Sequence, residues 1–276
     1  MSASIAVESP GRYVRLLTLL KSGDLTSEAV HREVSKLPIC AARLLALANQ
    51  ADQSGSMSID RIDRAVMLLG RDAVVDEVEF LSSANDEEQG SHEEAIEHLV
   101  RHSYVVSRAA ELMSHAARLP LHQQARAAGL LHDIGVFVLL RDCPTEFLSA
   151  MKDAARERAS TVEYECLHCG RDHCEAGESM LRSWGIPDTL LAPIAFHHDP
   201  LAAPRRHRYT ALLLYAAECL AVRAGYRETF GTRSLRLEKQ VLSELQLADD
   251  VLRIHVPILR RLLGTRRQAP LGEARS

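Results

Sequence analysis

Imidazole and carboxylate side chains recur inside apolar stretches of this sequence, where they can do chemistry only with partners close by. His132 and Asp133 stand side by side in Ala127–Leu140, a segment otherwise made of apolar residues and glycine. A buried carboxylate needs hydrogen-bond donors or a cation, because its pKa otherwise rises until it is neutral. Asp133 therefore needs a partner, although an isolated His-Asp pair is most often a satisfied pair in the core.

Five further residues of these two types occur in similar surroundings, so the pair is not isolated. They are His102, His173, His197, His198 and Glu218. Together the seven offer the nitrogen and oxygen ligands that iron, manganese and zinc take in helical bundles. A divalent ion held there would lower the pKa of bound water and clamp a phosphate ester. The sequence thus predicts a metal site, with His132 and Asp133 as catalytic residues if the protein is an enzyme.

The surroundings of His102 leave two interpretations open. Residues at spacings of three and four share one apolar helical stripe with it: Leu99, Val106, Ala109 and Met113. A lone histidine on such a stripe is more often bonded to a backbone carbonyl than to a metal. Glu218, within the apolar segment Tyr209–Ala224, needs a histidine or a cation, as Asp133 does.

Cysteine spacing suggests a second kind of metal site. Cys166 and Cys169 form a Cys-x-x-Cys pair, and His173–Cys174 follows closely. A structural zinc site needs four ligands, usually from two separated pairs, so this cramped arrangement favours incidental cysteines over a zinc site. Six cysteines in 276 residues are also too few for a disulfide scaffold, and we expect reduced thiols.

Composition limits the class of protein. The net charge of -4 gives no electrostatic case for binding DNA. Met1–Pro10 has no basic and apolar leader, and no run of eighteen apolar residues would span a membrane. We expect a soluble cytoplasmic protein with no membrane partner.

Helical periods dominate the sequence and strand signals are nearly absent, which predicts an all-α protein. Five short helices in residues 1–85 form an N-terminal lobe, in which Gly70 separates the last two helices from each other. The polar, acidic run 82–90 is the expected boundary to a second helical lobe over residues 86–264. Residues 265–276 read as a polar tail.

Within the second lobe the pattern predicts the elements that hold the candidate ligands. Ala127–Leu140 should form a core helix, and Arg141–Arg158 a surface helix whose buried side is Phe147 and Met151. Thr161–Gly170 reads as irregular. Asp172 and Glu175 form a capping box that puts His173 at the first position of a helix. The helices predicted after it are Pro187–His198, Tyr209–Ala224 with Glu218, Leu237–Leu245 and Val251–Leu263.

The order of these motifs resembles the HD superfamily of metal-dependent phosphohydrolases and, more specifically, the HDOD (HD-related output domain) family of bacterial signalling proteins. The residues that carry the resemblance are Arg101–Ser103, Gly129–Gly135, Gly170–His173 with Gly177, Trp184–Pro187 and Ile194–His198, and in the N-terminal lobe Leu44–Asn49 and Ile62–Gly70. The resemblance spans about Arg12 to Ala224. It implies a helical bundle of HD-domain type with an N-terminal helical lobe, and a metal pocket or its remnant.

Several positions depart from the patterns of these families. Val136 stands where catalytic HD enzymes often carry lysine, and Asp199–Pro204 replaces the Gly-Tyr-Pro segment of the subgroup that cleaves cyclic di-GMP. Glu218 is one methylene longer than the usual aspartate. Gln50 replaces a usual serine, and Leu37 precedes Pro38 where the family often has aspartate. Members of the family are generally regarded as catalytically silent or unproven.

Two hypotheses of function follow from the resemblance. The first is a signalling module without turnover, which acts on partner proteins or binds a nucleotide-like ligand. Its partners would be kinases, receivers or cyclic-nucleotide enzymes on separate chains. The second is an active phosphohydrolase of nucleotide second messengers, in which the seven residues bind iron, manganese or zinc or contact phosphate.

Overall fold

The computed structural model describes residues 10–22, 26–51, 58–83, 93–226 and 236–264. These residues form helices and contain no strand, so the all-α prediction is confirmed. The helices are α1 Pro10–Lys21, α2 Ser27–Val34, α3 Pro38–Ala51, α4 Ile62–Ser83, α5 Glu93–Ala116, α6 His122–Leu131, α7 Ile134–Asp142, α8 Pro144–Glu157, α9 Thr161–Cys169, α10 His173–Ser183, α11 Asp188–Ala195, α12 Arg208–Arg223, α13 Lys239–Glu244 and α14 Val251–Leu263.

The N-terminal helices begin and end where local chemistry predicts. The Thr26 side chain accepts a hydrogen bond from the backbone N–H of Ala29 and caps α2. Pro38 separates α2 from α3, since the residue before proline avoids helical angles. Gly70, at φ 73° and ψ 174°, kinks α4 at the predicted break. Helix α3 then packs along α4.

The second group of helices is built around α5 and α12. Helix α5 packs against α6 and α12, while α10 packs against α7 and α11. Every residue from Thr210 to Ala221 on α12 is buried, so this helix forms the centre of the core. Phe147 and Met151 are the predicted buried side of α8, and both are buried.

Two segments predicted as single helices are each broken in two. The Ala127–Leu140 helix ends at Leu131 as α6 and resumes at Ile134 as α7, so His132 and Asp133 lie in the turn between them. The Asp133 carboxylate makes no capping bond to α7, because it points to the histidines described below. The Arg141–Arg158 helix is likewise interrupted at Cys143, which precedes Pro144.

Two further boundaries differ from the sequence prediction. The segment predicted as irregular is helix α9, which Gly170 ends with a φ of 76°. Pro187 is the N-cap of α11 rather than its first residue, and α11 ends at Ala195, before the paired histidines. His197 and His198 therefore project from a turn, and His197 is the more deeply buried of the two.

Arg43 joins the N-terminal helices to the second group. Its guanidinium pairs with Glu77, with Nε 2.7 Å from Oε1, and lies 5.4 Å from the ring centre of Trp184. The division into lobes at 82–90 remains a prediction. Residues 84–90 of that boundary and the tail 265–276 lie outside the described residues. No helix in the described part of the chain is long and apolar enough to cross a bilayer.

Candidate metal centre

All seven candidate ligands meet at one place in the second group of helices. They come from five segments: His102 on α5, His132 and Asp133 between α6 and α7, His173 on α10, His197 and His198 after α11, and Glu218 on α12. Their ligand atoms group into clusters whose members lie within 4.8 Å of one another. The helices thus gather residues that lie up to 116 positions apart in the sequence.

The first cluster surrounds the Glu218 carboxylate. Its Oε1 atom lies 2.8 Å from Nε2 of His132 and 3.2 Å from Nε2 of His102. The Oδ2 atom of Asp133 approaches the same two nitrogens, at 3.1 Å from His132 and 3.7 Å from His102. Two imidazoles and two carboxylates therefore face one point.

The second cluster contains three imidazoles. The Nε2 atom of His173 lies 3.0 Å from Nε2 of His198 and 3.3 Å from Nε2 of His197. The second carboxylate oxygen of Asp133, Oδ1, lies 3.5 Å from Nε2 of His173 and 3.7 Å from Nε2 of His197. Asp133 thus stands between the clusters, with one oxygen turned to each.

The ring nitrogens that face outwards have partners that fix the tautomers. Nδ1 of His132 lies 2.9 Å from the Gly129 carbonyl oxygen, and Nδ1 of His197 lies 2.7 Å from the Ile194 carbonyl oxygen. A carbonyl only accepts, so each Nδ1 carries the proton and donates it. In the neutral ring Nε2 then has the lone pair, as in histidines that bind metals.

Glu165 plays the corresponding part for His173. Its Oε2 atom lies 2.6 Å from Nδ1 of His173 and accepts a hydrogen bond from the backbone N–H of the same residue at 2.8 Å. Only 2% of Glu165 is exposed. Sequence reasoning missed this residue because it assigned no helix to its segment. Of the two acidic residues of α9, Glu163 is exposed and Glu165 is buried, and only the packing of the helix distinguishes them.

The position of His173 depends on its cap and on a close helix contact. The Asp172 side chain accepts a hydrogen bond from the backbone N–H of Glu175 at 2.8 Å, as the capping box predicts. A Cβ added to Gly135 on α7 would lie 1.8 Å from the His173 carbonyl oxygen. Glycine at position 135 therefore lets the first turn of α10 approach α7 closely enough to aim His173 at Asp133.

Burial and charge act against each other in the first cluster. Burial alone lowers the pKa of His132, but the Asp133 and Glu218 carboxylates outweigh it and hold that pKa well above its usual value. Burial alone raises the pKa of Asp133, and the imidazoles, His132 first, outweigh it so that the pKa falls well below its usual range. These carboxylates thus require positive charge beside them.

At the edge of the second cluster a histidine pKa is shifted in the opposite direction, downwards. Burial and then the neighbouring imidazoles of His197 and His173 lower the pKa of His198 well below its usual value. A neutral His198 leaves its Nε2 lone pair available at neutral pH.

The donor set fits a divalent cation. Three buried atoms of the first cluster have no hydrogen-bond partner: Nδ1 of His102, Nε2 of His132 and Oε2 of Glu218. His102 therefore does not have the carbonyl partner that a core histidine would use. In the second cluster, nitrogens bound to one tetrahedral zinc ion would lie about 3.3 Å apart. The observed Nε2 separations of 3.0 and 3.3 Å are close to that value.

The Cys-x-x-Cys pair lies outside both clusters. Cys166 is exposed and Cys169 is half-buried, and neither belongs to a ligand group of three or more among the described residues. Burial and then a contact with Cys143 raise the pKa of Cys169 to about 12. Cys174 is the cysteine that lies beside the histidines.

Comparison with known proteins agrees with this architecture. The HDOD domain model matches residues 7–200. The MmoQ response regulator from Methylococcus capsulatus str. Bath is 21% identical over 91% of this chain and 98% of its own, with a TM-score of 0.71. A virulence factor from Campylobacter jejuni subsp. jejuni is 16% identical over 94% of this chain and 93% of its own, with a TM-score of 0.70. No curated protein matches the sequence. At these identities the solved structures show a shared fold, and the match over most of the chain shows that this protein belongs to the HDOD domain family.

Proposed function

We propose that this protein is a bacterial signal-transduction module that acts through partner proteins or a nucleotide-like ligand, without catalytic turnover. In this proposal the histidine cluster holds a divalent ion as a structural or ligand-sensing core. The observation that carries the proposal is the enclosure of the cluster. His102, His132 and His197 are each 1% exposed, Glu218 is 2% exposed and Asp133 is 7% exposed.

Enclosure argues against turnover because a phosphate ester must reach the ion and leave again. The most accessible members of the cluster are His198, which is half-buried, and Asp133, whose side chain is 10% exposed. Val136, at the position where similar enzymes often carry lysine, is buried and has no charge for a phosphate. The pocket thus favours holding an ion over processing a large anionic substrate.

A bound ion would add a further connection between five segments of the helical core. His102, His132, Asp133, His173, His197, His198 and Glu218 would hold iron, manganese or zinc. Binding to the folded state alone stabilises that state in proportion to the logarithm of ion concentration. Occupancy would therefore fix how α5, α10 and α12 lie against one another, and a partner at the surface could sense that change.

Signalling partners are proposed by analogy. MmoQ, which shares the fold, is described as a response regulator. We infer that the partners of this protein are separate kinases, receivers or cyclic-nucleotide enzymes. We also infer that the protein binds them in the cytoplasm. The division into an N-terminal lobe over 1–85 and an HD-like lobe over 86–264 belongs to the same proposal.

Elemental analysis of protein purified without chelator tests the metal core. We expect close to one or more equivalents of iron, manganese or zinc per chain, and a lower content in His132→Ala. His115→Ala is the matched control, because His115 stacks on His122 away from the cluster. A wild-type protein without metal that also fails to bind added zinc or manganese would contradict the metal core.

The second candidate function is a metal-dependent phosphohydrolase. It is favoured by Asp133, whose two oxygens face different clusters. A bound ion supplies Lewis acidity and a nucleophilic water at neutral pH. Hydrolysis of cyclic dinucleotides, (p)ppGpp or nucleoside monophosphates by the metal-loaded protein, lost in Asp133→Asn, would replace the module proposal. Metal binding without hydrolysis supports the module.

A further inference from the structure

Cys174 is a buried thiol that the predicted ligand set does not use. It is the second residue of α10, directly after His173, and is 7% exposed. One ligand atom from each of Cys174, His173, His197 and His198 lies within 4.8 Å of the other three. Four donors in this space are the number that a tetrahedral zinc site requires.

The thiol lies against the histidines of the second cluster. Its Sγ atom lies 3.7 Å from Nδ1 of His197. That nitrogen already donates its proton to the Ile194 carbonyl oxygen at 2.7 Å. Cysteine binds metals as a thiolate, so Cys174 would release its proton when an ion binds.

We propose that Cys174 supplies a thiolate ligand to a zinc-like ion, together with His173, His197 and His198. The inference rests on the proposed metal core and assigns one more residue to it. Binding releases the thiol proton to solvent and forms a metal–sulfur bond. The two Nε2 separations around His173, 3.0 and 3.3 Å, already suit such an ion.

A thiolate changes what this cluster can bind and do. Sulfur ligands favour zinc over manganese or magnesium, which prefer oxygen. Four protein ligands leave no open position, so this ion is structural. Asp133 is then left to His102, His132 and Glu218, and its Oδ2 atom faces the Nε2 atoms of both histidines.

Cobalt(II) in place of zinc tests the inference by spectroscopy. The protein, stripped with a chelator and titrated with cobalt(II), should gain intense visible bands of a tetrahedral site and a near-ultraviolet thiolate-to-cobalt band. Cys174→Ser should lose the near-ultraviolet band. Cys166→Ser/Cys169→Ser, which removes the thiols of the Cys-x-x-Cys pair, should keep it.

The possible outcomes distinguish the role of Cys174 from the existence of the metal core. Cobalt binding to the wild-type protein without the near-ultraviolet band overturns the role of Cys174 and leaves the metal core intact. A band that survives in Cys174→Ser, or disappears in Cys166→Ser/Cys169→Ser, also overturns it. No cobalt binding at all overturns the metal core itself. If Cys174→Ser fails to fold, the spectra of the wild-type protein and the double variant still decide.

Discussion

One carboxylate oxygen of Glu165 holds His173 by both its ring and its backbone. It lies 2.6 Å from Nδ1 of the ring and 2.8 Å from the backbone nitrogen. The second contact also satisfies an N–H at the start of α10, where helices leave donors unpaired. Glu165 therefore joins the position of the helix end to the direction of the ligand.

Replacing Glu165 should weaken metal binding without removing a ligand. In Glu165→Gln the amide oxygen can still accept both hydrogen bonds but carries no charge to stabilise the imidazole. Losses of this kind typically lower metal affinity by about 10- to 100-fold. Competition with a fluorescent zinc chelator measures the change.

Exposed Glu163, on the same helix, supplies the control for that experiment. Glu163→Gln should keep the wild-type affinity. Equal affinities for Glu165→Gln and the wild-type protein would show that the ring of His173 is oriented by packing alone.

A methyl group added at Gly135 should disrupt the close contact between α7 and α10. In Gly135→Ala the added Cβ meets the His173 carbonyl oxygen and the Gly177 nitrogen, both backbone atoms that cannot turn away. We expect a loss of about 3 kcal/mol or more in the free energy of unfolding, as for severe overpacking. Urea denaturation measures it.

Gly11→Ala is the matched substitution in open space. Nothing lies within 4 Å of a Cβ added at this position in α1, so helix propensity alone should act, and alanine should stabilise by up to about 1 kcal/mol. If Gly135→Ala proves as mild as Gly11→Ala, the two helices do not approach as described.

Sequence patterns identified most helices because amphipathic periods and caps are local signals. The Asp172 cap and the bounds of α14, Val251–Leu263, follow from such signals. The break at His132–Asp133 could not be predicted in the same way, because apolar residues flank it on both sides and no proline marks it. It depends on where the two side chains must point in three dimensions.

The members of the site divide along the same line. Most of the seven candidate ligands stand out because polar residues are rare in apolar stretches, and His173 stands out through its capping box. Glu165 does not, because its segment reads as irregular, and Cys174 enters only the cramped Cys-x-x-Cys motif. The packing of α9 and α10, which local patterns do not contain, brings both residues to the site.

His31 should make the protein less stable as pH falls. Burial, and then the positive charge of Arg126, lower the pKa of His31 below its usual value of about 6.5. Asp63, Glu111 and Arg61 also face it, and the two acids only partly offset the effect. A lowered folded-state pKa means that the unfolded chain takes up the proton more readily. The contribution of neutral His31 to the free energy of unfolding is therefore fully present above pH 6.5 and is lost as pH falls below that value.

His31→Gln removes this titration and should reduce the stability difference between pH 7.5 and pH 5. Urea midpoints of both proteins at the two pH values provide the measurement. The variant and the wild-type protein compared at pH 8, where the histidine is neutral, control for changes in packing. An unchanged difference between pH 7.5 and pH 5 would mean that His31 is not kept neutral.

Replacing Arg43 by lysine should lower stability, because Arg43 joins the two groups of helices. Its Nε and Nη2 atoms lie 2.7 and 3.4 Å from the two oxygens of Glu77, which is 7% exposed. The guanidinium also lies 5.8 Å from the ring centre of Phe80 and 5.4 Å from that of Trp184. Lysine keeps the charge but lacks the planar fork that makes both contacts at once.

We expect Arg43→Lys to lose about 1–2 kcal/mol in the free energy of unfolding, the sum of one paired contact and the ring contacts. Arg43→Met should lose more, about 3 kcal/mol, because it leaves the Glu77 carboxylate buried without a partner. Trp184 is the only tryptophan in the chain, so its fluorescence should change in both variants. Arg15→Lys, at a pair whose arginine side chain is 74% exposed, should alter neither stability nor fluorescence. A fluorescence spectrum that stays unchanged in Arg43→Met would show that the guanidinium does not lie against Trp184 in solution.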